Sequence, residues 1–468
     1  MARTSIRNIS GGAMPLPSPY GGMLPAGKSA VVIDTPEQIL ANLGGPDFVP
    51  NVVDLETLPE GSELTAHSFI SSNAINVTLE ALTIQIDPAA GHDEVRPFTY
   101  RAQAQVAAHG PWATVANAVE CLPSRIRHAV VLQFPIGLLA FPTLGQFDRF
   151  TFEGGYIELD SAADLKRVTG TSTYEVASGT DTQVTLAADP GFALNDKTGV
   201  WMRVVSGTGV GQYKAVMANN AAVFEVVGRF LPVLDGTSVV EFVVPSTVIT
   251  VAGVAGMHAS RDASLINVMA GHTDLRLRRI DLATMLILGT NLEITGGARV
   301  LGLVQIQESG YLQMDNCIID GLGTMPMALL VGGGRVRTAN SDSSWLLRRA
   351  TGPVLFIGGY GNIDAGGNAY LFKGGIQEGV DGVYVKSPTA CAELLHIIRS
   401  RNLTGIGVRL EHRAYMKVEQ SILGDSRYIT GGTSAIQLDG ANSAWTDLDA
   451  DPNDTLESYR HSIITAKA

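Results

Sequence analysis

The sequence has 468 residues, of which 45% are hydrophobic and 17% are charged, and it carries a formal net charge of −12. This length allows two or three domains, and the acidic balance excludes general nucleic-acid binding. The opening MARTSIRNISGG contains no apolar stretch, so we expect neither a signal peptide nor a membrane span. Cys121, Cys317 and Cys391 are too widely separated to predict a disulfide framework or a metal site.

Residues 1–50 are predicted to form a small ordered module. The Pro/Gly-rich segment AMPLPSPYGGMLPAGKSAVV precedes a short predicted helix. Thr35 is its expected N-cap, Pro36 its first helical residue, Gln38 the partner in a capping box and Gly44 its end.

Within this module, residues 22–29 match the pattern G-x-x-x-x-G-K-[ST] of a phosphate-binding P-loop. A P-loop needs a strand before it and a helix N-terminus after it. Here prolines precede the pattern and a predicted strand at 29–33 follows it. We therefore interpret the pattern as part of a hairpin and predict no nucleotide or other cofactor.

The middle of the chain combines one helix with many short strands. Residues 112–122 are predicted as a helix with Val115, Ala118, Val119 and Leu122 on one face, followed by a strand at 129–134. Between about 168 and 248, the segments TGVWMRVVSG, GQYKAVMA, AVFEVVG and SVVEFVV indicate an inserted small β module.

From residue 274 to about 426 the chain repeats a short phrase, clearest in LQMDNCIIDG from Leu312, at intervals of roughly 20 residues. Each phrase alternates apolar and polar residues and then turns at Asn, Gly or a small polar residue, which is typical of strands. The period predicts a right-handed parallel β-helix, in which each turn of the chain is a rung.

Aligning the phrases predicts which side chains face the core. Leu312 and Met314 share inward columns with Val336 and Thr338, with Ile398 and Ser400, and with Met416 and Val418. The next column holds Asn316, Asn340, Asn402 and Gln420, which we expect to form an internal ladder of hydrogen-bonded amides.

The outward columns of the same alignment are rich in charge. One contains Arg276, Glu293, Gln313, Arg337, Arg399 and Lys417, and the other contains Arg278, Thr295, Asp315, Ala339, Arg401 and Glu419. Forked guanidinium donors suit the carboxylate or sulfate groups of an acidic polysaccharide. We therefore predict a glycan-binding arginine stripe of Arg276, Arg278, Arg337, Arg399 and Arg401, the alternative being a solvated face without a ligand. Tyr311, Trp345, Tyr360 and Tyr370 are candidate stacking platforms, or they cover the core.

Three stretches resemble known families. HGPWATVANAVECLPSRIRHAVVLQF is similar to the helix and first strand of pectin-lyase-like β-helix proteins. The stretch GVWMRVVSGTGVGQYKAV resembles modules of bacteriophage structural proteins, and IRNISGG followed by PLPSPYGGMLPAGKSAVV resembles the segments that join phage-like spikes to a particle. The resemblance implies a spike or fibre on the surface of a phage or gene transfer agent, made in the bacterial cytoplasm and assembled as a homotrimer or other oligomer.

An enzyme is an alternative on the same scaffold, namely a polysaccharide depolymerase acting as a glycoside hydrolase or a lyase. Glycoside hydrolysis needs two carboxyl groups about 5 to 9.5 Å apart, and the weak candidates are Glu293 and Asp315, with Asp320, Asp364 and Glu419 behind them. The site motifs of the pectin esterases and polygalacturonases are missing, so we favour binding over cleavage. His272, His396 and His412 suggest no metal site. A third alternative is a decoration protein that binds no glycan.

The predicted fold class is therefore all-β. The expected domains are an attachment module (1–50), a linker with β structure (51–105), a cap with the first rungs (106–167), the inserted β module (168–248), the parallel β-helix (249–430) and a C-terminal cap (431–468).

Overall fold

A computed structural model gives the fold, and it describes most of the chain between residues 78 and 404. The described ranges are 78, 80–93, 110–123, 125–145, 147, 150–168, 172–257, 274–289, 291–307, 310–338, 344–358, 368–386 and 391–404. Further strands are described by their backbone before residue 59 and after residue 407. The chain divides into two units, 1–132 with 145–157 and 133–144 with 158–468.

The first part of the chain contains twelve of the strands and the one helix of the described residues. In chain order these are β1 (Arg3–Asn8), β2 (Met14–Pro15), β3 (Met23–Leu24), β4 (Ser29–Val32), β5 (Val53–Leu58), β6 (Leu82–Gln85), α1 (Val115–Cys121), β7 (Arg125–Ile126), β8 (Val130–Phe134), β9 (Gly137–Phe141), β10 (Thr151–Phe152), β11 (Ile157–Ser161) and β12 (Lys166–Arg167).

Antiparallel pairing organises the N-terminal strands. β1 pairs with β4 and β5, and β2 pairs with β3. The P-loop-like pattern therefore leads into a strand, β4, as the sequence predicts, whereas a P-loop leads directly into a helix. The predicted capping box at Thr35 lies outside the described residues.

Helix α1 begins later than predicted because Trp112 belongs to a strand-like bridge with Ile86. Thr114 is the N-cap, and its side chain accepts a hydrogen bond from the Asn117 amide at 3.3 Å. The predicted apolar face is confirmed, since Val115, Ala118, Val119 and Leu122 are all fully buried.

The next six strands close into an antiparallel barrel. They are β13 (Tyr174–Gly179), β14 (Gln183–Leu186), β15 (Trp201–Ser206), β16 (Tyr213–Asn220), β17 (Val223–Val226) and β18 (Val239–Val244). Their order is β18-β13-β14-β17-β16-β15, and β15 pairs again with β18 to close the ring, called the barrel below. Its interior is apolar, with Met202, Phe224 and Phe242 fully buried. The four strands expected from the sequence are present.

The remaining strands stack in parallel. They are β19 (Thr247–Met257), β20 (Leu275–Arg278), β21 (Ile280–Leu288), β22 (Asn291–Thr295), β23 (Arg299–Leu301), β24 (Val304–Ile306), β25 (Tyr311–Met314), β26 (Cys317–Asp320), β27 (Leu329–Val331), β28 (Arg335–Thr338), β29 (Trp345–Arg348), β30 (Leu355–Ile357), β31 (Asn368–Gln377), β32 (Val383–Lys386), β33 (Cys391–Arg401), β34 (Val408–Glu411), β35 (Tyr415–Glu419), β36 (Arg427–Ile429), β37 (Ala435–Asp439) and β38 (Ile463–Lys467).

These strands form three parallel sheets, and each strand pairs with its counterpart one rung further along the chain. The first sheet contains β20, β22, β25, β28 and the first half of β31. The second contains β23, β26, β29 and the second half of β31, and the third contains β24, β27, β30 and β32. We call the three sheets together the solenoid. The expected all-β class with repeated parallel strands is confirmed.

The predicted register is correct for the early rungs. Leu312 pairs with Val336 and Met314 with Thr338, and all four side chains are buried, including the polar Thr338 at 1% exposure. Alternation of apolar and polar residues therefore identified the inward positions of β25 and β28.

The register is wrong at 398–401. Ile398 pairs with Gly374, which pairs with Trp345, so this segment belongs to the second sheet. The residue that continues the Val336 column is Ala392, reached through Ala369. β33 is an 11-residue strand that serves both sheets, and only its first half lies in the first sheet.

The predicted amide ladder is also wrong for the described residues. Asn316 is half-buried, and Asn402 is exposed at a different corner of the rung. Both have positive φ, 51° and 55°, so they turn corners in the left-handed conformation that Asn tolerates better than most residues. Asn340 and Gln420 lie outside the described residues.

Two columns of left-handed residues turn the solenoid at these corners. Arg279, Gly296 and Asn316 follow the first-sheet strands, and Arg349, Glu378 and Asn402 follow the second-sheet strands. Gly296 has the conformational freedom that this corner requires.

Candidate functional site

The outer face of the first sheet carries the predicted charged column. Arg276 pairs with Glu293, and Glu293 pairs with Gln313, which in turn pairs with Arg337. Arg276 Nε lies 3.0 Å from Glu293 Oε2, and Gln313 Nε2 donates to Glu293 Oε1 at 3.2 Å. Arg276 is therefore neutralised by its neighbour on the next rung.

Arg278 also faces acids. Its guanidinium lies 3.8 Å from a Glu158 oxygen and 3.9 Å from an Asp160 oxygen. Burial and the neighbouring Asp160 raise the pKa of Glu158. Arg279 donates to both carboxylate oxygens of Asp160, so this end of the sheet is a network of paired charges.

Arg335 and Arg337 differ from these arginines. They lie two residues apart on β28, both side chains are exposed, and neither makes an ion pair with a described residue. Burial raises the pKa of Tyr311, and Arg337 beside its hydroxyl opposes that shift. The sequence alignment missed Arg335 because it placed the strand's first residue outside the columns.

Arg399 and Arg401 do not belong to this stripe, which corrects the predicted columns. They pair with Gly375 and Gln377 in the second sheet. Arg401 Nε lies 2.6 Å from Glu225 Oε2 of the barrel, and only the backbone of Arg399 is described. The five predicted arginines thus divide between two sheets.

The two aromatic candidates whose side chains are described do not form an exposed platform. Trp345 is fully buried and Tyr311 is 6% exposed, so these two cover the core. Tyr370 is described by its backbone alone, and Tyr360 lies outside the described residues.

The three carboxylate candidates whose side chains are described, Glu293, Asp315 and Asp320, are engaged in contacts within the protein. Besides the contacts of Glu293, Asp315 accepts hydrogen bonds from Thr295 at 3.4 Å and from Asn316 at 3.1 Å. Asp320 is held by Arg349 through bonds of 2.7 and 2.5 Å. Asp364 lies outside the described residues, and Glu419 is described by its backbone alone.

The barrel packs on the outer face of the second sheet. Ile318 and Leu346 point away from the solenoid core and join a buried cluster with Trp201, Met217 and Val227 of the barrel and its flanks. Such outward apolar residues would be unfavourable in water, so the barrel is an integral part of this face.

Polar contacts fix the same interface. Trp201 Nε1 donates to the Gly297 carbonyl at 3.0 Å, and Ser344 Oγ donates to the Val227 carbonyl at 2.7 Å. Ser344 is fully buried, and a buried hydroxyl needs such a partner.

A polar groove opens beside this interface, with a volume of about 290 Å³. Its barrel wall includes Gln183, Asn220 and Glu225, and its solenoid wall is Arg401 with Asn402. The groove therefore lies at the corner where the second sheet ends.

Within the described ranges, no group of three or more His, Cys, Asp or Glu side chains is placed to hold a metal ion. In the same residues no helix has the length and apolar character needed to cross a membrane.

Comparisons with known proteins give structural neighbours only. No protein-family model and no curated protein matches the sequence. Similar solved structures include the tailspike of Pseudomonas phage phi297, with 11% identity, a TM-score of 0.26, and coverage of 77% of this chain and 72% of that one.

Two further tailspikes are similar at the same level. The tailspike of Acinetobacter baumannii bacteriophage AP22, solved with A. baumannii capsular saccharide, has 10% identity and a TM-score of 0.22 over 69% of this chain and 62% of that one. The tailspike of Pseudomonas phage LKA1 has 10% identity and a TM-score of 0.17 over 78% and 67%.

Proposed function

We propose that the protein is a surface spike of a phage-like particle whose solenoid binds an acidic host polysaccharide without cleaving it. The observation that carries this proposal is the exposed pair Arg335 and Arg337, which makes no ion pair with a described residue, whereas Arg276 and Arg278 on the same face lie close to acids. The resemblance of the N-terminal and barrel sequences to phage structural proteins supports the particle context.

The geometry of the pair suits a charged polymer. Alternate residues on one strand point to the same side, about 6.8 Å apart, so both guanidinium groups face the same ligand. Each can bind a carboxylate or sulfate through two parallel N–H donors. Repeated contacts along a polymer add avidity that one exposed ion pair lacks.

The remaining arginines contribute less in this proposal. Arg276 and Arg278 are already close to acids, so a ligand would have to compete with those contacts. Arg401 is paired with the barrel. The predicted stripe is thus reduced to a site centred on β28, with Gln313 as a neighbouring hydrogen-bond donor.

The test compares two double variants of equal charge. Arg335→Gln/Arg337→Gln should weaken binding to alginate, a uronic-acid polymer, by about tenfold, since each exposed contact is worth roughly 0.7 kcal/mol. Lys166→Gln/Lys386→Gln lowers the net charge equally and should leave binding unchanged. Binding of the wild type should also weaken between low and high salt, while dextran should not bind.

Three outcomes contradict the proposal. Equal binding by both double variants removes Arg335 and Arg337 from the site. Shortened alginate chains after incubation favour the depolymerase, and Glu293 and Asp315 become the first residues to substitute. Absence of binding to host-surface polysaccharides of several compositions favours the decoration protein.

The assembly of the spike is a further part of the proposal. Residues 1–50 attach it to the particle, the solenoid is right-handed, as parallel crossovers almost always are, and the spike is a homotrimer. Deletion of residues 1–50 should leave a folded β-rich protein that no longer co-purifies with particles. A single species of 49.4 kDa in light scattering would contradict the trimer.

A further inference from the structure

The groove between the barrel and the second-sheet corner has the composition of a binding site for an uncharged ligand. Its volume, about 290 Å³, is close to the lower end of the range for small-molecule pockets. It is separate from β28 in sequence and in sheet, and nothing in the proposed polysaccharide site depends on it.

The charges in the groove balance each other. Glu225 is 5% exposed and Arg401 reaches its carboxylate at 2.6 Å. A cation would meet Arg401, and an anion would meet Glu225, so neither gains a net electrostatic advantage. The pair still offers guanidinium donors and a carboxylate acceptor to hydroxyl groups.

Three side-chain amides line the groove with unused hydrogen-bonding capacity. Gln183, Asn220 and Asn402 are exposed, and their amides form no hydrogen bond with any described residue. Each amide carries both donors and an acceptor, as a sugar hydroxyl also does.

Two other side-chain amides of the barrel wall, those of Asn195 and Asn219, form hydrogen bonds within the protein. The Oδ1 of Asn219 accepts a hydrogen bond from the backbone N–H of Lys197 at 2.8 Å, and its Nδ2 donates to the Ala193 carbonyl at 2.9 Å. The Oδ1 of Asn195 accepts a hydrogen bond from the backbone N–H of Asn219 at 3.2 Å. The neighbouring Asn220 is thereby presented from a fixed strand, β16.

An apolar patch completes the site. Leu194 is 70% exposed and Val223 is 40% exposed, and both line the groove. A ligand that satisfies amides on one side and covers aliphatic carbon on the other has the chemistry of a pyranose ring, with its hydroxyl edges and C–H face.

We propose that this groove binds a neutral sugar, one or two pyranose rings long, through the free amides, the Glu225–Arg401 pair and the Leu194–Val223 patch. The proposal goes beyond polysaccharide binding at β28 because it concerns another surface and an uncharged ligand. For so small a ligand the Kd is expected to be on the order of millimolar.

The experiment is saturation-transfer NMR on the full chain with methyl glucoside, methyl galactoside, N-acetylglucosamine and, for comparison, glucuronate. At least one neutral sugar should receive saturation. Gln183→Ala/Asn220→Ala should weaken its binding by at least about fivefold, the loss of roughly two hydrogen bonds. Asn402→Gly, which removes one amide but keeps the left-handed corner, should weaken it less.

The matched control is Arg335→Gln/Arg337→Gln, which should bind the neutral sugar as the wild type does. The proposal is overturned if no neutral sugar receives saturation, if the signal persists in Gln183→Ala/Asn220→Ala, or if glucuronate binds equally well at the same residues. Because alginate binding is measured separately, failure here is distinguishable from failure at β28.

Discussion

Replacing Asn316 tests how the solenoid turns its corners. Asn316 has φ 51°, its Oδ1 accepts a hydrogen bond from the Ser344 amide at 3.1 Å, and its Nδ2 donates to Asp315 at 3.1 Å. Alanine would remove both hydrogen bonds and also place a less tolerant residue in the left-handed conformation.

The two costs can be separated. The left-handed conformation costs an ordinary residue roughly 1–2 kcal/mol, and an unpaired Ser344 amide in a buried site costs about 1–3 kcal/mol. Asn316→Ala should therefore lower the free energy of unfolding by about 2–5 kcal/mol. Asn316→Gly removes the same hydrogen bonds without the left-handed strain, and it should cost about 1 kcal/mol less than alanine.

Circular dichroism during thermal unfolding gives the order of stability, and hydrogen exchange at residue 344 reports the lost bond locally. We expect wild type to be most stable, followed by Asn316→Gly and then Asn316→Ala, with faster exchange at Ser344 in both variants. Equal destabilisation by glycine and alanine would show that backbone conformation does not limit this corner. Unchanged exchange at Ser344 would refute the hydrogen-bond argument.

Three further predictions concern a buried acid, a close approach and the barrel interface. Burial raises the pKa of Asp274 to about 6 from 3.8, so the folded state binds this proton more tightly than the unfolded state does. As the pH rises from 3.8 through 6, the free energy of unfolding of the wild type should therefore fall by up to about 3 kcal/mol. Asp274→Asn should lack this fall and should be more stable than the wild type at pH 8, as measured by urea unfolding. If the free energies of unfolding of the two proteins changed with pH in the same way, this reasoning would be wrong. Gly374→Ala should abolish soluble expression, because its Cβ would lie 1.9 Å from the buried Trp345 ring; a normal yield and melting curve would show that the ring can move. Leu346→Ala should cost about 2–5 kcal/mol and increase hydrogen exchange in the barrel strands, whereas Leu138→Ala, at a side chain 73% exposed, should change neither.

Much of the strand pattern was predictable because alternation is a local property. Leu312 and Met314 were correctly assigned inward, and Arg276, Glu293, Gln313 and Arg337 were correctly placed in one outward column. Adjacent rungs here are short and similar in length, so the phrases align directly.

The alignment failed where the rung length changed. From Val336 to its partner Ala369 the chain makes a longer excursion, and the phrase at Ile398 was matched to the wrong sheet. Side chains alternate between the two faces in every strand, so a match of inward and outward positions does not by itself distinguish one sheet from another.

The sequence by itself therefore determined the all-β class, the parallel repeat, the apolar face of α1 and the inward side of each early strand, because these depend on neighbouring residues. Only the tertiary structure decided that Ile318 and Leu346 face the barrel, that Arg401 pairs with Glu225, and that Arg335 and Arg337 make no ion pair with a described residue. The first two outcomes depend on which distant segments meet, because the packing of the barrel on the second sheet joins residues about 100 to 180 positions apart.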